Sequence, residues 1–154
     1  MRNARKERLS LVISMVVFGF LLFLSTVHAA EFIVGVKGRL LCGGIPMEQA
    51  KVELWEHDYF DPDRLATTHT DISGDFEIIG KHSELVGISP YIKIFHSCYD
   101  NVRGEERCNA VSTWHVPEEF ITEGDTVEKY YDMNIHEMVN QSEDETRECI
   151  ESKF

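Results

Sequence analysis

The chain is short of positive charge. Fifteen Lys and Arg stand against 27 Asp and Glu over 154 residues, a net charge of −12. Four of the cations, Arg2, Arg5, Lys6 and Arg8, crowd into the first eight residues with Glu7 as their one acid. From Glu31 onward 11 basic residues face 26 acidic ones, a net charge near −15. Such a surface repels nucleic acid, whose binding rests on neutralising phosphates, and repels anionic membranes at long range. Contact with lipid or phosphate then needs a local basic patch or a bridging cation, and Lys93, Arg103, Arg107 and Lys129 are the residues available for one. A cationic partner surface is favoured instead.

Catalytic patterns are missing as well. No Gly-x-Ser-x-Gly turn surrounds Ser89, Ser112 or Thr113, and no glycine-rich phosphate loop occurs. Six histidines follow residue 30, namely His57, His69, His82, His96, His115 and His136. None sits in a His-x-x-x-His or Cys-x-x-Cys spacing suited to zinc. The expectation is a protein that is not an enzyme and carries no cofactor. Internal repeats and low-complexity tracts are absent too, and the length suits one domain of about 100–150 residues.

What is present begins with a leader. The basic start runs into an almost unbroken apolar stretch from Leu9 to Leu24, then into Ser25-Thr26-Val27-His28-Ala29-Ala30. A basic region, an apolar region and small residues at the exit read as a secretory signal peptide over 1–30, cleaved after Ala29 or Ala30. Sixteen residues are short for a membrane span of about 20, and no second apolar span follows. Residues 31–154 are then the mature domain, secreted into an oxidising compartment. There, Cys42, Cys98, Cys108 and Cys149 read as two disulfides. Spacing alone leaves three connectivities open.

Strand patterns dominate the mature part. Phe32, Val34, Val36 and Leu40 alternate with Ile33, Gly35, Lys37 and Arg39; Ala50, Val52 and Leu54 alternate with Lys51, Glu53 and Trp55. A period of two marks half-buried strands. Gly43-Gly44 reads as a turn. Asp58 to Arg64 reads as an acidic loop, Ala66 to Thr70 as a short strand, and Asp71 to Asp75 as the turn of a hairpin that returns through Phe76 to Gly80. A helical turn is placed at Lys81 to Leu85. The strongest strand is Tyr91 to Cys98, with Ile92, Ile94 and His96 on one side and Tyr91, Lys93 and Phe95 on the other. Ala110 to Val116 and Lys129 to His136 complete the set, and an acidic surface tail follows from Gln141. Seven or so short strands between turn signals predict an all-β sandwich.

Few side chains invite a site. Asp58, Asp61 and Asp63 share one loop and could offer oxygens to Ca²⁺, but the EF-hand spacing is missing and a solvated turn is the simpler reading. His96 lies in the inward register, where a hydrogen-bonded core histidine is expected. Asn140-Gln141-Ser142 is an acceptor sequence for N-glycosylation at Asn140. Trp55, Tyr59, Phe60, Tyr130 and Phe154 are aromatic anchors for a partner or ordinary cross-strand neighbours.

A series of segments in one order resembles the nematode transthyretin-like family over nearly the whole mature chain. These are Val36-Lys37-Gly38-Arg39-Leu40-Leu41-Cys42, Lys51-Val52-Glu53-Leu54-Trp55-Glu56, Phe60-Asp61-Pro62-Asp63, Thr70-Asp71 and Gly74-Asp75-Phe76. They continue with Pro90-Tyr91-Ile92-Lys93-Ile94-Phe95-His96-Ser97-Cys98, Val116-Pro117-Glu118-Glu119-Phe120-Ile121 and Glu145-Thr146-Arg147-Glu148-Cys149-Ile150. The resemblance implies a transthyretin-like β-sandwich of seven to eight strands in two sheets. It also implies pairing of Cys98 with Cys108 and of Cys42 with Cys149. Two departures stand out. His115 occupies a position where an apolar residue is commoner, and Tyr131-Asp132-Met133-Asn134 lacks a glycine often found after the matching Tyr-Asp.

The related 5-hydroxyisourate hydrolase ends in Tyr-Arg-Gly-Ser, whereas this chain ends Ile150-Glu151-Ser152-Lys153-Phe154. The resemblance implies instead a secreted, non-enzymatic extracellular binding or adaptor protein. Its partners would be an extracellular or cell-surface protein or lipid, with phosphatidylserine bridged to a receptor as one form. The rival expectation is a carrier of a small apolar ligand or hormone, which needs a cavity in a core normally filled by side chains.

Overall fold

A computed structural model describes residues 14–15, 29–58, 61–85, 87–98, 108–139 and 146–149. Among the described residues, ten strands form two sheets. The first is organised around one long strand, β1 (Ala30–Cys42), which pairs along one edge with β5 (Asp75–Glu84). Its other edge takes β8 (Ile121–Glu123) antiparallel and then β9 (Tyr131–Glu137) parallel, and β2 (Ile45–Pro46) folds back onto its end. The second sheet runs β10 (Thr146–Cys149), β7 (Cys108–His115), β6 (Pro90–His96), β3 (Lys51–Glu56) and β4 (Asp63–His69), all antiparallel. The expected all-β sandwich is this architecture.

The inward residues are those the alternation assigns. Val34, Val36 and Leu40 from β1 and Phe76 and Ile78 from β5 meet Val52, Leu54, Ile92 and Ile94 from β3 and β6 in one cluster. Each fully buried aliphatic side chain contributes about 1.5–3 kcal/mol relative to exposure. In the middle of β1, however, Ile33 to Val36 are buried on both faces. The segment between β8 and β9 crosses over the outside of β1 there. A Cβ on Gly35 would lie 2.8 Å from the Tyr130 ring and 2.9 Å from the Val127 side chain. Glycine permits that approach, and the crossing lets the chain pass from the antiparallel to the parallel side-by-side arrangement along one edge.

Four expectations are corrected. The stretch from Lys81 to Glu84 is the end of β5 rather than a helical turn: it pairs with Ala30 to Ile33, and edge hydrogen bonds outweigh a weak local helical preference. The acidic loop is shorter than expected, because β4 already begins at Asp63 and pairs with Glu56. The segments on either side of Asp71–Asp75 do not form a hairpin. β4 pairs with β3 and β5 pairs with β1, so this turn carries the chain from one sheet to the other. Its local chemistry is as expected, with Asp71 Oδ1 accepting from the amides of Ser73 and Asp75 at 2.8 and 2.9 Å and Gly74 at φ +77.

The fourth correction concerns the cysteines. Cys42 is bonded to Cys98, with Cα atoms 5.6 Å apart, inside the range a disulfide spans. That excludes both pairs implied by the resemblance. β6 ends at His96, and Cys98, two residues on, meets the end of β1 across the gap between the sheets instead of continuing alongside β7. The bond therefore ties one sheet to the other.

The departure at Met133-Asn134 has a local solution. The β1–β9 register shifts between Lys37 and Arg39, and Asn134 takes φ +58 while its amide donates to Asp132 Oδ1 at 2.8 Å. Asn tolerates this left-handed conformation better than most residues, so it replaces the glycine without loss of the strand.

Candidate functional site

The two outer faces of the sandwich carry different chemistry. On the second sheet, β3 presents Lys51, Glu53 and Trp55. Their partners on β6 are Phe95, Lys93 and Tyr91, and those on β4 are His69, Thr67 and Arg64. The strand period places all of these on the side opposite Val52, Leu54, Ile92 and Ile94. The ammonium of Lys51 lies 3.6 Å from the Phe95 ring centre, that of Lys93 lies 4.8 Å from the Trp55 ring centre, and the Arg64 guanidinium lies 5.9 Å from the same ring centre. Cations over aromatic faces are held by the ring quadrupole while keeping part of their hydration.

Glu53 sits at the centre of this face with only 4% of its side chain exposed. It accepts from Trp55 Nε1 at 2.9 Å and from Arg64 Nη1 at 3.2 Å, and Lys51 Nζ is 3.2 Å away. Burial pushes its carboxyl up, but the hydrogen bonds from Trp55, Lys51 and Arg64 outweigh burial and hold it below the usual glutamate value. Among the described side chains of β4, β3 and β6, this face thus offers Lys51, Arg64 and Lys93 around the acid Glu53. It is a positive patch with a fixed geometry on an acidic protein.

The first sheet's outer face pairs its charges. Lys37 meets Asp132 at 3.3 Å, and Arg39 grips Asp75 through two bonds of 2.6 and 2.7 Å. The Tyr130 hydroxyl donates to Glu77 at 2.8 Å. The guanidinium of Arg39 holds Asp75 below the usual carboxylate range, and the Asn134 amide does the same for Asp132 with help from Lys37. Lys37, Arg39, Asp75, Glu77 and Asp132 line an open groove of about 550 Å³. A second groove, about 430 Å³, lies at the end of the second sheet among Gly87, Ser89, His115 and Glu118. Beside it, the Tyr91 ring stands between His57 at 6.4 Å and His115 at 6.0 Å. Burial, and then the nearby Glu56, raise the Tyr91 phenol.

The residues singled out by sequence reach different ends. Lys93 is in the cationic face, whereas Lys129 lies 4.1 Å over Phe120, away from it. Arg103, Arg107, Tyr59, Phe60, Phe154 and the glycosylation position Asn140 lie outside the described residues. Asp58, Asp61 and Asp63 are not gathered: among the described residues no three His, Cys, Asp or Glu stand where they could hold a metal ion. His96 is buried and hydrogen-bonds Ser112 at 3.1 Å, as its register predicts. His82 contacts Glu84 and His136 packs edge-on against Trp114, so the histidines are dispersed. Gly43-Gly44 forms the expected turn, and both amides donate to the Glu137 carboxylate at 2.7 and 2.8 Å. These amides, led by that of Gly44, hold Glu137 low. Sequence reasoning missed Glu53, whose position in a period-two pattern reads as exposed. The surrounding Lys51, Trp55 and Arg64 were the signal, but Arg64 comes from another strand.

Comparison with known proteins decides the family. The family model described as the Transthyretin-like family matches residues 37–117. The chain belongs to the transthyretin-like family. Transthyretin-like protein 2 of Caenorhabditis elegans is 33% identical over 142 residues, covering 84% of this chain and 94% of that protein. Transthyretin-like protein 5 of the same organism is 34% identical over 118 residues, covering 75% and 83%. Transthyretin-like protein 46 is 34% identical over 124 residues, covering 78% and 67%. The matched region of this transthyretin-like chain holds β3, β4, β6 and β7, and with them the whole cationic face.

Proposed function

We propose that this transthyretin-like protein is a secreted, non-enzymatic binding protein that works outside the cell as an adaptor. It bridges an anionic cell-surface ligand, phosphatidylserine being the lead case, to a receptor. The observation that carries this reading is the outer face of the second sheet. An acidic molecule needs a confined positive patch to approach an anionic surface, and Lys51, Arg64 and Lys93 around Glu53 supply one. Arg and Trp beside one another also make the kind of anchor that dominates binding energies. The first sheet's outer face, with its paired charges and groove, is the surface left for the second partner.

The leader, the oxidising compartment and the acidic surface all fit an extracellular place of action. Flotation of residues 31–154 with phosphatidylcholine vesicles, with and without phosphatidylserine, at two salt concentrations tests the reading. Recovery with the phosphatidylserine vesicles, falling at the higher salt, is the expected result, because the attraction is screened over a Debye length of about 10 Å at 0.1 M. Lys51→Ala, Arg64→Ala and Lys93→Ala together should lower recovery at least tenfold. Equal recovery on neutral vesicles, or an undiminished triple variant, removes it.

A further inference from the structure

We infer that Cys108 and Cys149 are joined as a second disulfide that clasps the last strand to the second sheet. Two observations carry this. The first is elimination: Cys42 and Cys98 are bonded to each other, so of the three connectivities open to four cysteines only one keeps that bond and closes a second. The second is independent of it. β10 pairs antiparallel with β7 in the register Thr146↔Val111, Arg147↔Ala110, Glu148↔Asn109 and Cys149↔Cys108, which sets the two cysteines directly opposite. Directly opposed residues of an antiparallel pair have Cα atoms about 4.5 or 5.5 Å apart, and disulfides bridge about 4.4–6.8 Å. No backbone movement is required.

The chemistry is an exchange. One thiolate attacks a sulfur of an external disulfide, of the thiol–disulfide oxidoreductase class found in secretory compartments, and forms a mixed disulfide. The second cysteine then attacks that bond. Two thiols lose two protons and two electrons in all, and the external disulfide leaves as a dithiol. The clasp matters for the tail, since β10 contains four residues and is the outermost strand of its sheet. A covalent tie at its last residue fixes a strand too short to stay by hydrogen bonds alone. It also brackets residues 99–107 between two bridged positions, Cys98 and Cys108.

The test is a disulfide map of the full chain secreted from eukaryotic cells. Free thiols are alkylated first, and the protein is then digested with trypsin without reduction. The cysteines fall in four separate peptides, 40–51, 94–103, 108–129 and 148–153. The expected masses are 40–51 linked to 94–103 and 108–129 linked to 148–153, each in near-stoichiometric yield. Cys149→Ser should then leave one alkylated thiol, Cys108, with the first link intact. Alkylated Cys108 and Cys149 in the unaltered chain, or a link from either to 40–51 or 94–103, overturns the inference.

Discussion

On the outer face of the first sheet, Lys37 and Arg39 each meet a carboxylate on a neighbouring strand. On the outer face of the second, Lys51 and Lys93 lie over the rings of Phe95 and Trp55, and Arg64 shares Glu53 with Lys51. Both faces are pleated sheet, and both draw their charges from adjacent strands. The difference lies in the neighbours. Where each cation has a carboxylate of its own, as Lys37 and Arg39 do, the charge is neutralised at the surface. Where Lys51, Arg64 and Lys93 gather around the one acid Glu53 and lie against aromatic rings, the cations are positioned but positive charge remains. A sheet therefore sets its surface potential through register, since register decides how many cations and acids are gathered on one face.

The comparison can be broken at several points. The largest effect is expected from severing the two sheets. Cys42→Ser with Cys98→Ser removes a bond between residues 56 apart in sequence, and the loop-entropy model puts the loss at about 4 kcal/mol. Chemical denaturation under non-reducing conditions reads it directly. A midpoint unchanged from the parent would show that packing alone holds the faces in place.

Glu53→Gln comes next. It removes the charge that three donors on the second face surround, and breaking a buried ion pair costs about 3–5 kcal/mol. Because Lys51 and Arg64 are about half exposed and can turn to water, about 2 kcal/mol is expected. The pH dependence carries the same signature. Glu53 is held low in the folded chain, so its contribution is fully present above its ordinary value of 4.5 and is lost as pH falls below that through the lowered folded value. Denaturation midpoints between pH 6 and pH 3 should fall more steeply for the parent than for Glu53→Gln. Parallel curves would count against the hub.

The smallest effect is expected on the first face. Asp75→Asn weakens the exposed bidentate pair with Arg39. Exposed pairs add little to stability, so no resolvable change in the denaturation midpoint is predicted. A clear loss would mean that the two faces are held by similar forces after all.

Much of the fold was legible in the chain. Val34, Val36, Val52, Leu54, Ile92 and Ile94 repeat every second residue, and all of them are in the core. That period survives any topology, because it reflects only which side of a strand meets the interior. The hairpin assigned across Asp71–Asp75 failed for a complementary reason. The turn chemistry is local and legible, but a turn does not state which sheet receives the next strand. The candidate site was legible in part. Lys93 stands out in the chain as a scarce cation, while Glu53 reads there as an ordinary exposed residue.

The sequence by itself determined that strands would alternate inward and outward, that Gly43-Gly44 and Asp71–Gly74 would turn, and that the family's segments would follow in order. These are local matters of side-chain period and backbone freedom. Only the tertiary structure decided that Cys42 bonds Cys98, that β4 and β5 part into different sheets, and that Arg64 reaches Glu53 and Trp55 from the next strand. Each of these depends on which distant segments are brought within a few ångströms. Cross-strand register sets that distance, and no single stretch of the chain contains it.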